Sequence, residues 1–161
     1  MEQVRMGVIG LGNMGSWYAR QLLQQKVDGM TLGAVCDISS ERQEWARTEL
    51  PGIPVYGEAV DLFESGHIDG VIIAGPHYHH PPQAIEAFQH GLHVLVEKPA
   101  GVYTKQVLEM NAAARRSGKV FGIMYNQRTN PIYQKVRELM LDGELGNLKR
   151  VVWIVTHWYR P

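Results

Sequence analysis

A chain of 161 residues is long enough for one domain with a sizeable core and too short for two full-sized ones. Lys plus Arg equals Asp plus Glu at 16 each, so no global field attracts nucleic acid or an anionic membrane, and no local basic patch stands out. The single Cys36 excludes an internal disulfide, no apolar run is long enough to span a bilayer, and no export signal opens the chain, so the expectation is a cytoplasmic protein.

Apolar runs alternate with helical patterns along the chain, which predicts βαβ units and a parallel sheet. The first strand, over 4–9, runs into Gly10-Leu11-Gly12-Asn13-Met14-Gly15 and a helix over 13–26 with Met14, Tyr18 and Leu22 on one face. Asp28-Gly29 breaks that helix. A second strand over 31–36 ends at Asp37, Ser39 or Ser40 caps the next helix, and Pro51-Gly52 stops it. Residues 55–56 make a short third strand, 58–65 a short helix, and 69–74 a fourth strand apolar enough to be central. Pro81 and Pro82 suit the start of a helix that runs to His90 and stops at Gly91. A fifth strand over 92–96, a helix over 104–116 and a sixth strand over 120–125 follow. The fold class is therefore α/β, a Rossmann-type doubly wound parallel sheet with ligands at the strands' C-terminal ends.

Beyond it, 130–141 reads as a helix, 142–146 as a turn, and 148–158 as one long strand carrying Trp153 and Trp158. A long apolar strand without a hairpin partner is an edge that proteins avoid leaving bare. It reads as the start of an incomplete second, α+β domain, with a second copy of the chain as the other candidate to cover it. The boundaries drawn are 1–125 and 126–161.

A strand running into G-x-G-x-x-G and a helix is a nucleotide cradle. Gly10 permits the tight turn, Gly12 has no side chain to block a pyrophosphate, and Gly15 lets the helix lie close to the strand. The free N–H groups of Leu11, Asn13 and Met14 then join the glycines in facing the phosphates. Asp37 lies about twenty residues beyond the glycines, where an acidic side chain accepts ribose hydroxyls and repels a 2′-phosphate. Its plainer reading is a cap for the helix after it. NAD is thereby favoured over NADP, with the guanidinium of Arg42 as a nearby group able to accept a phosphate. His77, His79 and His80 are close enough in sequence to chelate a metal, but Cys36 is remote and no H-E-x-x-H helix exists, so no metal site is expected.

Gly10-x-Gly12-x-x-Gly15, Ala74-Gly75-Pro76-His77-Tyr78-His79-His80 and Gly91-Leu92-His93-Val94-Leu95-Val96-Glu97-Lys98-Pro99 together resemble the N-terminal half of the Gfo/Idh/MocA oxidoreductases. The turn Gly143-Glu144-Leu145-Gly146 resembles the place where that family opens its second domain, so the likeness covers essentially the whole chain. It implies an NAD-dependent dehydrogenase moving hydride between nicotinamide and a hydroxyl-bearing carbon of a sugar or cyclitol. Lys98 would be the catalytic or substrate-orienting residue, Glu97 would fix it or touch the cofactor, and Pro99 matches an often cis proline. His80 would line the cofactor pocket with Gly75, Pro76 and His77. Gly75 stands where the family usually has Thr or Ser. Asn126 would face the nicotinamide side and Arg128 the substrate. The family's acid/base histidine often comes from the second domain, so these residues alone are expected to bind NAD and turn over poorly or not at all. A non-catalytic dinucleotide-binding module is the alternative. The partners implied are a small polyol or sugar and, through a second-domain sheet, further copies of the chain.

Overall fold

The computed structural model describes residues 3–154. Six strands, β1 (Val4–Ile9), β2 (Met30–Cys36), β3 (Val55–Tyr56), β4 (Gly70–Ile73), β5 (His93–Val96) and β6 (Phe121–Ile123), pair in parallel in the order β3-β2-β1-β4-β5-β6. Helices α1 (Asn13–Leu23), α2 (Ser40–Glu49), α3 (Ala59–Glu64), α4 (His80–Gln89) and α5 (Thr104–Ser117) connect them. The chain builds outward from β1 to β3, then crosses back to place β4 on β1's other side. That reversal opens a crevice beyond the C-terminal ends of β1 and β4, where ligands of such sheets bind.

Side-chain alternation along the strands sorts the core into two layers. Val8 packs with Tyr18, Leu22, Val35 and Leu50 on the α1 and α2 face. Its neighbour Ile9 packs with Ile73, Ala84, Val96 and Met110 on the face of α4 and α5. β4 is buried along its whole length, as an apolar central strand should be. Burying a side chain such as Leu22 contributes about 1.5–3 kcal/mol.

Most element boundaries shift by a residue or so from expectation, and three of the differences have local reasons. α1 ends at Leu23 rather than near 26, because Gln25 takes a left-handed conformation, φ 53°, that no continuing helix allows. A 3-10 turn, His77–His79, precedes α4, so that helix starts at His80 with the two prolines inside its first turn. β6 keeps only three residues, since its pairing with β5 stops at Ile123.

Residues up to Met124 form one compact unit, and those from Tyr125 belong to a second. In the second, a 3-10 turn (Asn126–Thr129) leads to α6 (Pro131–Leu141). The Asn130 side chain caps α6 by accepting from the Ile132 N–H at 3.0 Å. Tyr133 and Trp153 meet edge to face, with ring centroids 6.0 Å apart. The strand expected over 148–158 is not formed in its described part: residues 148–154 have no strand structure. A strand exists only through pairing, and no described segment pairs there. The remainder, 155–158, with His157 and Trp158, lies outside the described residues.

Candidate functional site

The three cradle glycines meet three different surroundings. Gly10 turns at φ 85°, and a Cβ there would lie 2.6 Å from the Gly75 backbone. The loops after β1 and β4 are thus in direct contact at the crevice. Gly15 is buried, and a Cβ on it would fall 1.7 Å from the Gly10 carbonyl oxygen, so α1 approaches the loop as closely as a backbone can. A Cβ at Gly12 would meet nothing within 4 Å. Gly12 also supplies the N-cap of α1 without a side-chain cap hydrogen bond, so no capping side chain occupies the N–H groups at that helix start, the arrangement that holds phosphate.

Beside the cradle lies a cavity of about 260 Å³, walled by Gly10, Asp37, Ile38, Glu58, Pro76 and His79 among others. Its size suits one nucleoside rather than a whole dinucleotide. The Asp37 carboxylate accepts the Leu11 N–H at 2.6 Å through Oδ2 and the Ser39 N–H at 2.9 Å through Oδ1. It therefore caps the turn into α2 and ties the end of β2 to the glycine loop, and it takes the Leu11 N–H, which was expected to be free to face a phosphate. Each carboxylate oxygen retains acceptor capacity toward a hydroxyl. Cys36, at the same wall, has its thiol pushed up to about 12, first by burial and then by the charges of Asp37, Glu58 and Asp61.

Glu97, Lys98 and Pro99 leave β5 at the same sheet edge. The Lys98 side chain is exposed and its bond to Pro99 is cis. Glu97 is buried; its Oε1 accepts the Tyr18 hydroxyl and its Oε2 accepts the Lys98 amide at 2.8 Å. Burial, followed by the bond to Glu97 and its charge, raises the Tyr18 phenol above its ordinary range. His80 is wholly enclosed, with Nδ1 2.8 Å from the Pro99 carbonyl oxygen and Nε2 2.9 Å from that of Gly75. A neutral imidazole has one N–H, so it donates to one of these carbonyls at a time and to both only as imidazolium.

Gly10, Gly12, Gly15, Asp37, Gly75 and Pro76 converge on the crevice at the switch point. His80 stands apart from its expectation. Enclosed, with both nitrogens turned to backbone carbonyls, it offers no free edge to a ligand and acts through the loops it joins. His77 is exposed, and its ring meets that of His80 in a T-shaped contact, centroids 5.5 Å apart. Asn126 and Arg128 belong to the second unit. There the Asn126 carbonyl accepts the Thr129 hydroxyl and the Arg128 amide donates to the Tyr125 carbonyl. Glu58 and His79 wall the cavity without having been expected there, and Tyr18, expected only as one of three residues on a helix face, also bonds Glu97. The one available signal was that a tyrosine on a buried helix face needs a partner for its hydroxyl.

A family model described as "Oxidoreductase family, NAD-binding Rossmann fold" matches residues 4–125. Inositol 2-dehydrogenase 4 of Saccharopolyspora erythraea is 32% identical over 148 residues, which cover 90% of this chain and 43% of that protein. Among solved structures, myo-inositol 2-dehydrogenase from Lactobacillus plantarum is 31% identical with a TM-score of 0.83, over 90% of this chain and 43% of that one. The WlbA dehydrogenase from Bordetella pertussis, solved in complex with NADH and UDP-GlcNAcA, is 27% identical with a TM-score of 0.83, over 90% and 44%. The chain thus spans less than half the length of these relatives. With a six-stranded parallel sheet, a glycine cradle at its switch point and a family match over most of its length, the chain belongs to the Gfo/Idh/MocA oxidoreductases, the family with an NAD-binding Rossmann fold.

Proposed function

We propose that these residues are the cofactor-holding part of an NAD-dependent dehydrogenase that oxidises a ring hydroxyl of a sugar or cyclitol. The observation carrying this reading is the placement of the Gly12 N-cap, open to a phosphate, beside a nucleoside-sized cavity walled by Asp37. The N–H groups of Asn13 and Met14 at the start of α1 hold the pyrophosphate, and the Asp37 carboxylate holds the adenosine ribose. Asp37 and Glu58 line the same wall, and two carboxylates there disfavour a 2′-phosphate, so NAD is preferred to NADP. When bound, NAD supplies the nicotinamide carbon that takes up hydride.

Lys98, exposed at the end of a buried strand, holds the substrate hydroxyl and moves its proton. Asn126 and Arg128 serve the nicotinamide and substrate sides. The names of the inositol dehydrogenase relatives support a polyol substrate. Cytoplasmic location and assembly of copies through a sheet in the substrate-holding part belong to the same proposal.

Titration with NADH, followed by nicotinamide fluorescence, tests the reading. Saturable enhancement supports it, whereas zinc binding without NADH binding would overturn it. Lys98→Ala should leave NADH affinity within about threefold and abolish hydride transfer in a protein that also carries a substrate-holding domain; undiminished turnover refutes the role. A non-catalytic dinucleotide-binding module is the second reading, which the same cradle and cavity would serve equally. Polyol-dependent reduction of NAD by the 161 residues themselves would exclude it.

A further inference from the structure

Lys98 lies between two anchored neighbours, and each anchor leads back to the nucleotide cradle. On one face of the sheet, Tyr18 from α1 donates to Glu97, which in turn accepts the Lys98 amide. On the other face, the His80 ring from α4 sits between two carbonyls, with Nδ1 2.8 Å from that of Pro99 and Nε2 2.9 Å from that of Gly75, and as a neutral imidazole it donates to one of them. α1 is the helix whose first turn carries Gly15, and the Gly75 backbone is what Gly10 abuts. Tyr18, Glu97 and His80 are 7%, 6% and 0% exposed. Apolar residues of similar shape would fill the same volumes without the cost of burying a carboxylate, a phenol and an imidazole. What the polar groups add is direction: each hydrogen bond specifies where the backbone on one side of Lys98 must lie.

We propose that Tyr18 and His80 are positioning residues that clamp the Glu97-Lys98-Pro99 segment from both faces of the sheet and couple its order to a dinucleotide in the cradle. The proposal rests on the functional reading above, in which the cradle holds NAD and Lys98 faces substrate. A ligand that fixes the glycine loop and the Gly75 loop fixes the far ends of both bridges, so the lysine is held in place when cofactor is present. The lysine itself need not touch the nucleotide for this to happen.

Hydrogen exchange of the 97–101 segment in the whole chain, with and without NADH, tests the coupling. The variants are Tyr18→Phe, which removes one hydroxyl and keeps the ring, and two single-ended forms of His80. His80→Asn keeps a donor near the Nδ1 position toward Pro99, and His80→Gln keeps one near the Nε2 position toward Gly75. In the wild type NADH should slow exchange of this segment at least about fivefold. In Tyr18→Phe, and in the His80 variant that loses the donor the imidazole uses, the nucleotide-free segment should exchange about tenfold faster, and NADH should slow it less than about twofold while still binding within about threefold. A purely structural role would not make the ligand-dependent protection disappear.

Protection by NADH that persists undiminished in Tyr18→Phe and in the His80 variants would overturn the coupling. Unchanged nucleotide-free exchange would overturn the clamp. If either His80 variant fails to fold, the isosteric Tyr18→Phe decides the matter alone. If wild-type chain does not bind NADH, the functional reading falls and the coupling with it, and the nucleotide-free comparison still decides whether the clamp exists.

Discussion

Adding one methyl group at Gly15 and one at Gly12 should separate two demands that the cradle makes of its glycines. At Gly15 the added carbon would fall 1.7 Å from the Gly10 carbonyl oxygen and 2.9 Å from its carbonyl carbon. Both are backbone atoms, so no rotamer change relieves the contact. α1 must retreat by more than about 1 Å, and overpacking of this kind costs about 1–3 kcal/mol or more. Replacing Gly by Ala within a helix returns about 1 kcal/mol of propensity, which does not offset a clash of that depth. The expected net loss for Gly15→Ala is about 2 kcal/mol, or roughly 4–8 °C in Tm for a chain of this size. At Gly12 the methyl meets nothing within 4 Å, so Gly12→Ala should melt within about 2 °C of the wild type, the small loss reflecting a poorer N-cap. Its methyl nevertheless occupies the space assigned to the pyrophosphate, and NADH affinity should fall at least about tenfold. Thermal melts followed by circular dichroism and NADH fluorescence titrations on the two variants make the comparison. Undiminished NADH binding by Gly12→Ala, or a wild-type melt for Gly15→Ala, would refute the reasoning.

The remaining predictions are briefer. Asp37→Ala should weaken NAD by about 10–100-fold, the worth of charge-assisted hydrogen bonds to the ribose, while weakening NADP less; an unmoved preference in competitive titration leaves Asp37 as a cap and loop tie only. Cys36, pushed up to about 12, stays a neutral thiol at pH 7–8 and should resist alkylation in the folded chain; mass spectrometry should find it modified rapidly only after unfolding. The Arg5 guanidinium holds the Asp69 carboxyl below its usual range, first through their side-chain hydrogen bonds. A lowered folded value means stability that is present above the ordinary carboxylate range and lost as pH falls through the folded one. The advantage of wild type over Arg5→Ala in urea melts should therefore be full at pH 6–7 and shrink below about pH 4, and since both side chains are half exposed it should not exceed about 1 kcal/mol.

Much of the fold was legible because its signals are local. Strand β4 is an unbroken apolar run, Ser39 caps α2 through its own side chain, and Asn130 followed by Pro131 marks the start of α6. The edge at 148–154 was not legible, because apolar alternation shows that a segment suits a strand and not that a partner is there to pair with it. The 3-10 turn over 77–79 was missed for a related reason: Pro81 and Pro82 mark a helix's first turn without saying how the chain enters it.

By itself the sequence determined the alternation of strands and helices, the glycines at the end of β1 and the acidic residue at the end of β2. Each of these depends on neighbours within a turn or two along the chain. Only the tertiary structure decided that β4 lies beside β1, and with it that Gly75 meets Gly10. The same pairing order lets Tyr18 reach Glu97 across 79 positions and His80 reach Pro99 across 19. Those contacts depend on which elements the sheet makes adjacent, a choice set by packing the whole core, and a one-dimensional pattern does not carry it.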